Sequence, residues 1–135
     1  YTYLSNTLNT ILIKFKINKK WDKFYSESYM NEKIKEKVFE KILKLKNYCE
    51  QNNIRLIIHN IPELRDLKNY KFENETRIIK EFSNNNNIKF INSYETLKNY
   101  NENDLWVTKA DSHANDNAHK IIAGFISSKV EKYLD

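Results

Sequence analysis

Asp111, His113 and His119 stand in a segment otherwise made of small residues, most of them polar, Asp111-Ser112-His113-Ala114-Asn115-Asp116-Asn117-Ala118-His119. A carboxylate two residues from an imidazole can turn back to accept the Nδ1 proton, which leaves Nε2 free to act as a general base. The same residues also read as a helix entry in which Asp and Asn satisfy free backbone donors. Asp111, His113 and His119 are all metal-ligand types as well, but a closed site needs a fourth group, and no acidic cluster of suitable spacing accompanies them. His59 adjoins the end of an apolar run and reads as a hydrogen-bonded structural residue. His119 reads as a packing or hydrogen-bonding residue at the start of the last helix.

The elements around this segment follow an α/β alternation. Over residues 31–50, Ile34, Val38, Ile42, Leu45 and Cys49 recur every three or four positions, which predicts a helix with those residues on its inner face. Gln51-Asn52-Asn53 stops it. Residues 54–61, apolar and rich in β-branched side chains and ended by Pro62, predict a buried parallel strand. Phe72, Ile78, Ile79 and Phe82 mark a second helix to Ser83, the run Asn84 to Asn87 breaks it, and residues 88–91 predict a second strand. Two such units predict a parallel sheet with helices packed on it. A short helix is expected between Tyr94 and Tyr100. The Asp111–His113 segment is expected as a loop leading into a closing helix that buries Ile122, Phe125, Ile126, Val130 and Tyr133. In an α/β protein such loops collect reactive groups because the sheet holds their bases rigid. Near the start, Leu4, Leu8, Ile11, Leu12 and Phe15 fit an amphipathic helix, and residues 21–29 a connector.

Composition narrows the function classes. With 135 residues, 40% hydrophobic, the chain can build one core and reads as a single α/β domain or part of a larger one. No apolar run approaches the roughly 18 residues of a spanning helix, so no membrane span is expected. The chain has one glycine, Gly124, and one proline, Pro62, which excludes a glycine-rich phosphate loop within these residues. Cys49 is the only cysteine, so neither an internal disulfide nor a zinc knuckle is available. The formal charge is +5, but 20 of the 23 basic residues are Lys and Asn is equally frequent at 20, a pattern of adenine/thymine-rich coding, so no nucleic-acid partner is expected. The absence of an initiator methionine at Tyr1 gives the expectation of a piece of a longer protein or a processed product.

Taken with Ala118-His119 and the following Ile121-Ile122-Ala123, Asp111-Ser112-His113-Ala114-Asn115 resembles the last block of the SGNH (GDSL-like) hydrolases. That block commonly runs Asp, one or two residues, His, Pro, Asn, two residues, Gly, His, then an apolar helix. Ala114 stands where proline is usual and Ala118 where glycine is usual. The order of helices and strands upstream is also similar, but only this block is specific. The resemblance implies a parallel sheet flanked by helices as part of a flavodoxin-like SGNH hydrolase fold. It also implies that His113 is the catalytic base and Asp111 the group that orients it. The family's Gly-Asp-Ser block and its glycine and asparagine oxyanion donors have no counterpart in these residues, and Ser5 lacks the preceding apolar strand. The resemblance thus implies the C-terminal half of a serine esterase or acylhydrolase, inactive alone, whose substrate is a small-molecule, carbohydrate or lipid ester and which takes no cofactor or metal.

The rival reading is a non-catalytic α/β binding or interaction module in which Asp111 and Asn115 are caps and the aromatic residues are core. Trp21 and Trp106 are the residues that would face a sugar if they are not core. Two strands cannot leave a sheet face and edge bare without penalty. The expectation is therefore a homodimer through the exposed strand edge, or an N-terminal helix lying across it.

Overall fold

The structure, a computed structural model, describes residues 23–134. The expected amphipathic helix over residues 4–15, Ser5 and Trp21 lie outside the described residues. The chain divides into two compact units, Tyr1–Lys44 and Leu45–Asp135. Residues 23–30 are helical, where a connector was expected. The long helix α1 covers Glu32–Gln51. Asn31 starts it by accepting the Ile34 N–H on Oδ1 at 3.2 Å, an N-cap that satisfies a donor with no partner inside the helix. Surface pairs such as Lys44–Glu40 at 2.6 Å run along its outside.

The ends of the helices show how a nearly glycine-free sequence makes its turns. Asn53 and Asn87 adopt φ of 57° and 54°, the left-handed region usually left to glycine. At the first, the Ile54 N–H returns to the Cys49 carbonyl at 2.8 Å. At the second, the Ile88 N–H returns to the Ser83 carbonyl at 2.9 Å. Each asparagine thus closes a helix and releases the chain into a strand. The second helix, α2, is Glu73–Asn85, so Asn84 and Asn85 belong to its last turn and only the end of the asparagine run breaks it.

Strands β1, Ile57–Asn60, and β2, Lys89–Asn92, pair in parallel with Ile57 opposite Lys89 and Asn60 opposite Asn92. The protein is therefore mixed α/β, mostly helical, with a small two-stranded parallel sheet. β1 is shorter than the expected 54–61, and its four residues are half-buried where full burial was expected. α2 packs on β2. Helix α3, Tyr94–Leu97, confirms the short helix, and α4, Asp116–Leu134, closes the chain and contacts α3.

The core of the second unit gathers Leu64, Leu67, Leu97, Leu105, Ala118 and Ile122, with Tyr70, Tyr94, Trp106 and Ala114 packed against it. Tyr70 and Tyr94 stack at 4.5 Å, and the Tyr94 hydroxyl donates to the Leu67 carbonyl at 3.1 Å. Trp106 donates its indole N–H to the Leu64 carbonyl at 3.1 Å, so it serves the core and does not present a sugar platform. Ile122 is buried, while Phe125, Ile126, Val130 and Tyr133 are half-buried. The stripe expected inside α1 is largely in solvent: Ile34, Val38 and Leu45 are 46%, 47% and 50% exposed, and only Cys49 is buried. No helix among the described residues is long and apolar enough to cross a membrane.

Gly124 lies inside α4, and a Cβ built there meets nothing within 4 Å. Replacing Gly124 with alanine is expected to raise stability by about 0.5–1 kcal/mol, because alanine loses less backbone freedom on entering a helix. A urea titration showing no change or a loss would contradict this.

Candidate active site

The segment expected as a loop is a strand. Trp106–Thr108 (β3) and Asp111–Ala114 (β4) form an antiparallel hairpin, with Trp106 opposite Ala114 and Thr108 opposite Asp111. Lys109 and Ala110 make the turn, which Thr108 organises. Its Oγ1 accepts the N–H groups of Ala110 at 3.2 Å and Asp111 at 3.1 Å.

Between these paired positions β4 carries one more residue than β3, an irregularity of bulge type, so Asp111 and His113 meet through a local turn closed by the carboxylate and not through regular strand alternation. Asp111 Oδ1 lies 2.5 Å from His113 Nδ1 and also accepts the His113 backbone N–H at 3.1 Å. The backbone N–H, followed by the ring, holds the Asp111 carboxyl below the usual carboxylate range. With Nδ1 facing a carboxylate, the neutral ring keeps its proton there. Nε2 then carries the lone pair and has no hydrogen-bond partner among the described residues. The His113 side chain is 91% exposed, so this nitrogen meets solvent.

His119 does not join the pair. It sits exposed in the first turn of α4, where its backbone N–H donates to the Asn115 carbonyl at 3.0 Å. Among the described residues, no three His, Cys, Asp or Glu side chains gather closely enough to share a metal ion. Asn115 acts as the helix cap, its Oδ1 accepting the Ala118 N–H at 3.0 Å.

His59, expected as a hydrogen-bonded structural residue, is one, through a partner that was not foreseen. His59 Nε2 lies 2.7 Å from the hydroxyl of Ser93, which is fully buried just beyond β2. Ser93 has no other side-chain partner among the described residues, and which of the two groups donates is set by the His59 tautomer. Asn60 Nδ2 donates to Asn92 Oδ1 at 2.9 Å beside it. His59, Asn60, Asn92 and Ser93 thus tie the carboxyl ends of the two parallel strands together. The contact spans 34 residues and arises from strand register, which the local pattern does not reveal.

Burial lowers the His59 pKa below its ordinary 6.5. Between the lowered folded value and 6.5 the unfolded chain binds more protons, so stability rises with pH through that window. The contribution is complete above 6.5 and is lost as pH falls toward the folded value. His59→Gln is expected to flatten this part of the stability profile in urea titrations across pH 5–7.5, and an unchanged slope would refute the assignment.

A cavity of about 290 Å³ lies at the amino ends of β1 and β2, lined among others by Cys49, Ile54, Arg55, Lys89 and Tyr133. Its cations are engaged locally. Arg55 donates to the Tyr133 carbonyl, Lys89 Nζ sits 3.8 Å over the Tyr133 ring, and Lys46 pairs with Glu50 at 2.5 Å. Neither Asp111 nor His113 lines it. Comparison of the chain with known protein families, curated proteins and solved structures finds no match.

Proposed function

We propose that this chain is the C-terminal portion of an SGNH-type serine esterase or acylhydrolase and supplies its base and orienting carboxylate. The observation that carries this reading is the 2.5 Å contact of Asp111 Oδ1 with His113 Nδ1, which leaves Nε2 without a partner among the described residues. The resemblance of residues 111–123 to the closing block of that family supports it, and the flavodoxin-like fold belongs to the same reading.

In the proposed reaction a serine hydroxyl outside these residues attacks the ester carbonyl while His113 Nε2 takes its proton. Asp111 stabilises the imidazolium so formed. The imidazolium then returns the proton to the leaving alcohol, and water repeats the sequence to free the acid and the serine. Oxyanion donors from elsewhere would hold the tetrahedral oxygen. The substrate is an ester of a small alcohol, a carbohydrate or a lipid. The two-stranded sheet would continue through strands outside these residues or pair with a second copy along a strand edge.

p-Nitrophenyl acetate hydrolysis tests the proposal. The 135-residue chain alone should show no turnover above background, whereas the protein that includes a serine-bearing strand–turn segment should turn over. Turnover by the chain alone that survives His113→Ala, or none by the longer protein, would end the reading. The second reading, a non-catalytic module, draws on the 91% exposure of His113 and on the capping role of Asn115. It expects no turnover from either form.

A further inference from the structure

Asp111 and His113 ride on a hairpin whose strands have three and four residues, too short to fix its own direction. Packing of Trp106 and Ala114 against the core holds the base of the hairpin. The next residue in the chain, Asn115, does more than cap a helix. Its Nδ2 donates to the Asp104 carbonyl at 3.0 Å and to the Trp106 carbonyl at 2.9 Å. Its Oδ1 accepts the Ala118 N–H at 3.0 Å, and its own N–H donates to the Leu105 carbonyl at 2.9 Å. One side chain therefore joins the strand paired with β4, the turn before that strand, and the first turn of α4.

A residue needed only as a cap would use an oxygen, and serine or aspartate would serve equally well. Holding two carbonyls and one N–H at once requires an acceptor and two donors in one planar group, which an asparagine amide supplies. Asn117 adds a single long contact to the Asp104 carbonyl, 3.4 Å, and does not reach Trp106. We infer that Asn115 is a positioning residue for the Asp111–His113 pair. Its bonds fix the hairpin against α4 so that the Asp111 carboxylate stays on Nδ1. The catalytic meaning of that role rests on the esterase reading above.

The test is nitrogen-15 NMR of the His113 ring in the 135-residue chain, at a pH where the imidazole is neutral. The parent chain should show the Nδ1–H tautomer. Asn115→Ser keeps an acceptor for the Ala118 N–H and loses both donors. It should retain a folded amide spectrum and a near-parent melting temperature, while His113 shifts toward the Nε2–H form that an unconstrained imidazole prefers. Asn115→Asp, which also keeps the acceptor, should behave in the same way. Persistence of the Nδ1–H tautomer in either folded variant would overturn the inference. Loss of fold in both would overturn it equally, since Asn115 would then hold the structure and not aim the pair. Esterase activity does not enter this measurement, so the two readings fail separately.

Discussion

His113→Ala, introduced into the protein that carries both this chain and its serine-bearing segment, is expected to lower kcat/KM for p-nitrophenyl acetate by about 10⁴-fold or more. The loss should fall on kcat with KM little changed, because the imidazole acts on the serine proton during bond making and does not bind the ground-state ester. Asp111→Asn is expected to cost less than the roughly 10⁴-fold loss for a buried triad aspartate. The Asp111 side chain is 47% exposed, so solvent screens part of its field, and its remaining work is to choose the tautomer. Both variants should keep the parent fold, since neither side chain belongs to the core cluster. Retention of roughly a tenth or more of the parent rate by His113→Ala would remove His113 from the mechanism.

Leu105→Ala should be among the most destabilising substitutions in the chain. Leu105, the residue before β3, is completely buried in a cluster with Leu64, Leu97 and Ile122. Truncating such a side chain removes its transfer free energy and leaves a cavity, about 2–5 kcal/mol together. Domains of this kind have only about 5–15 kcal/mol in total. The Leu105 carbonyl also accepts the Asn115 N–H, so the base of the hairpin loosens with the core. Urea titration gives the energy, and hydrogen exchange at the β4 amides should show the hairpin opening first. Val107, one strand position from Trp106 and 53% exposed, is the matched control, with Val107→Ala expected within about 0.5 kcal/mol of the parent. A loss below about 1 kcal/mol for Leu105→Ala would mean the cluster collapses around the gap.

The parts of this fold that were legible in the sequence are those fixed by local periodicity. α1, α2 and β2 follow from apolar spacing and from asparagines that stop helices, because both signals act within a few residues. The inner face assigned to α1 was misread because periodicity tells which residues share a side and not whether anything covers it. The hairpin was missed for a different reason. Its turn, Lys109-Ala110, lacks the Asn-Gly or Asp-Gly that makes two-residue turns recognisable, and Asp111-Ser112-His113-Ala114 has weak strand propensity. Pairing with Trp106–Thr108 and packing of Ala114 on the core override that weak preference. The Asp111–His113 pair was legible because its contact is local. The His59–Ser93 contact was not, because only the register of β1 on β2 brings those residues together.

That Asp111 and His113 are joined by a carboxylate-closed turn at an irregular place in the hairpin makes their separation matter more than what stands between them. The carboxylate of Asp111 reaches the His113 N–H and ring across Ser112 without using its side chain, so exchanging Ser112 should leave the pair untouched. Inserting or deleting one residue there would remove the two-residue offset that lets one carboxylate oxygen meet both the His113 N–H and its ring. Mutational tolerance at this place should therefore be generous toward replacement and severe toward any change of length.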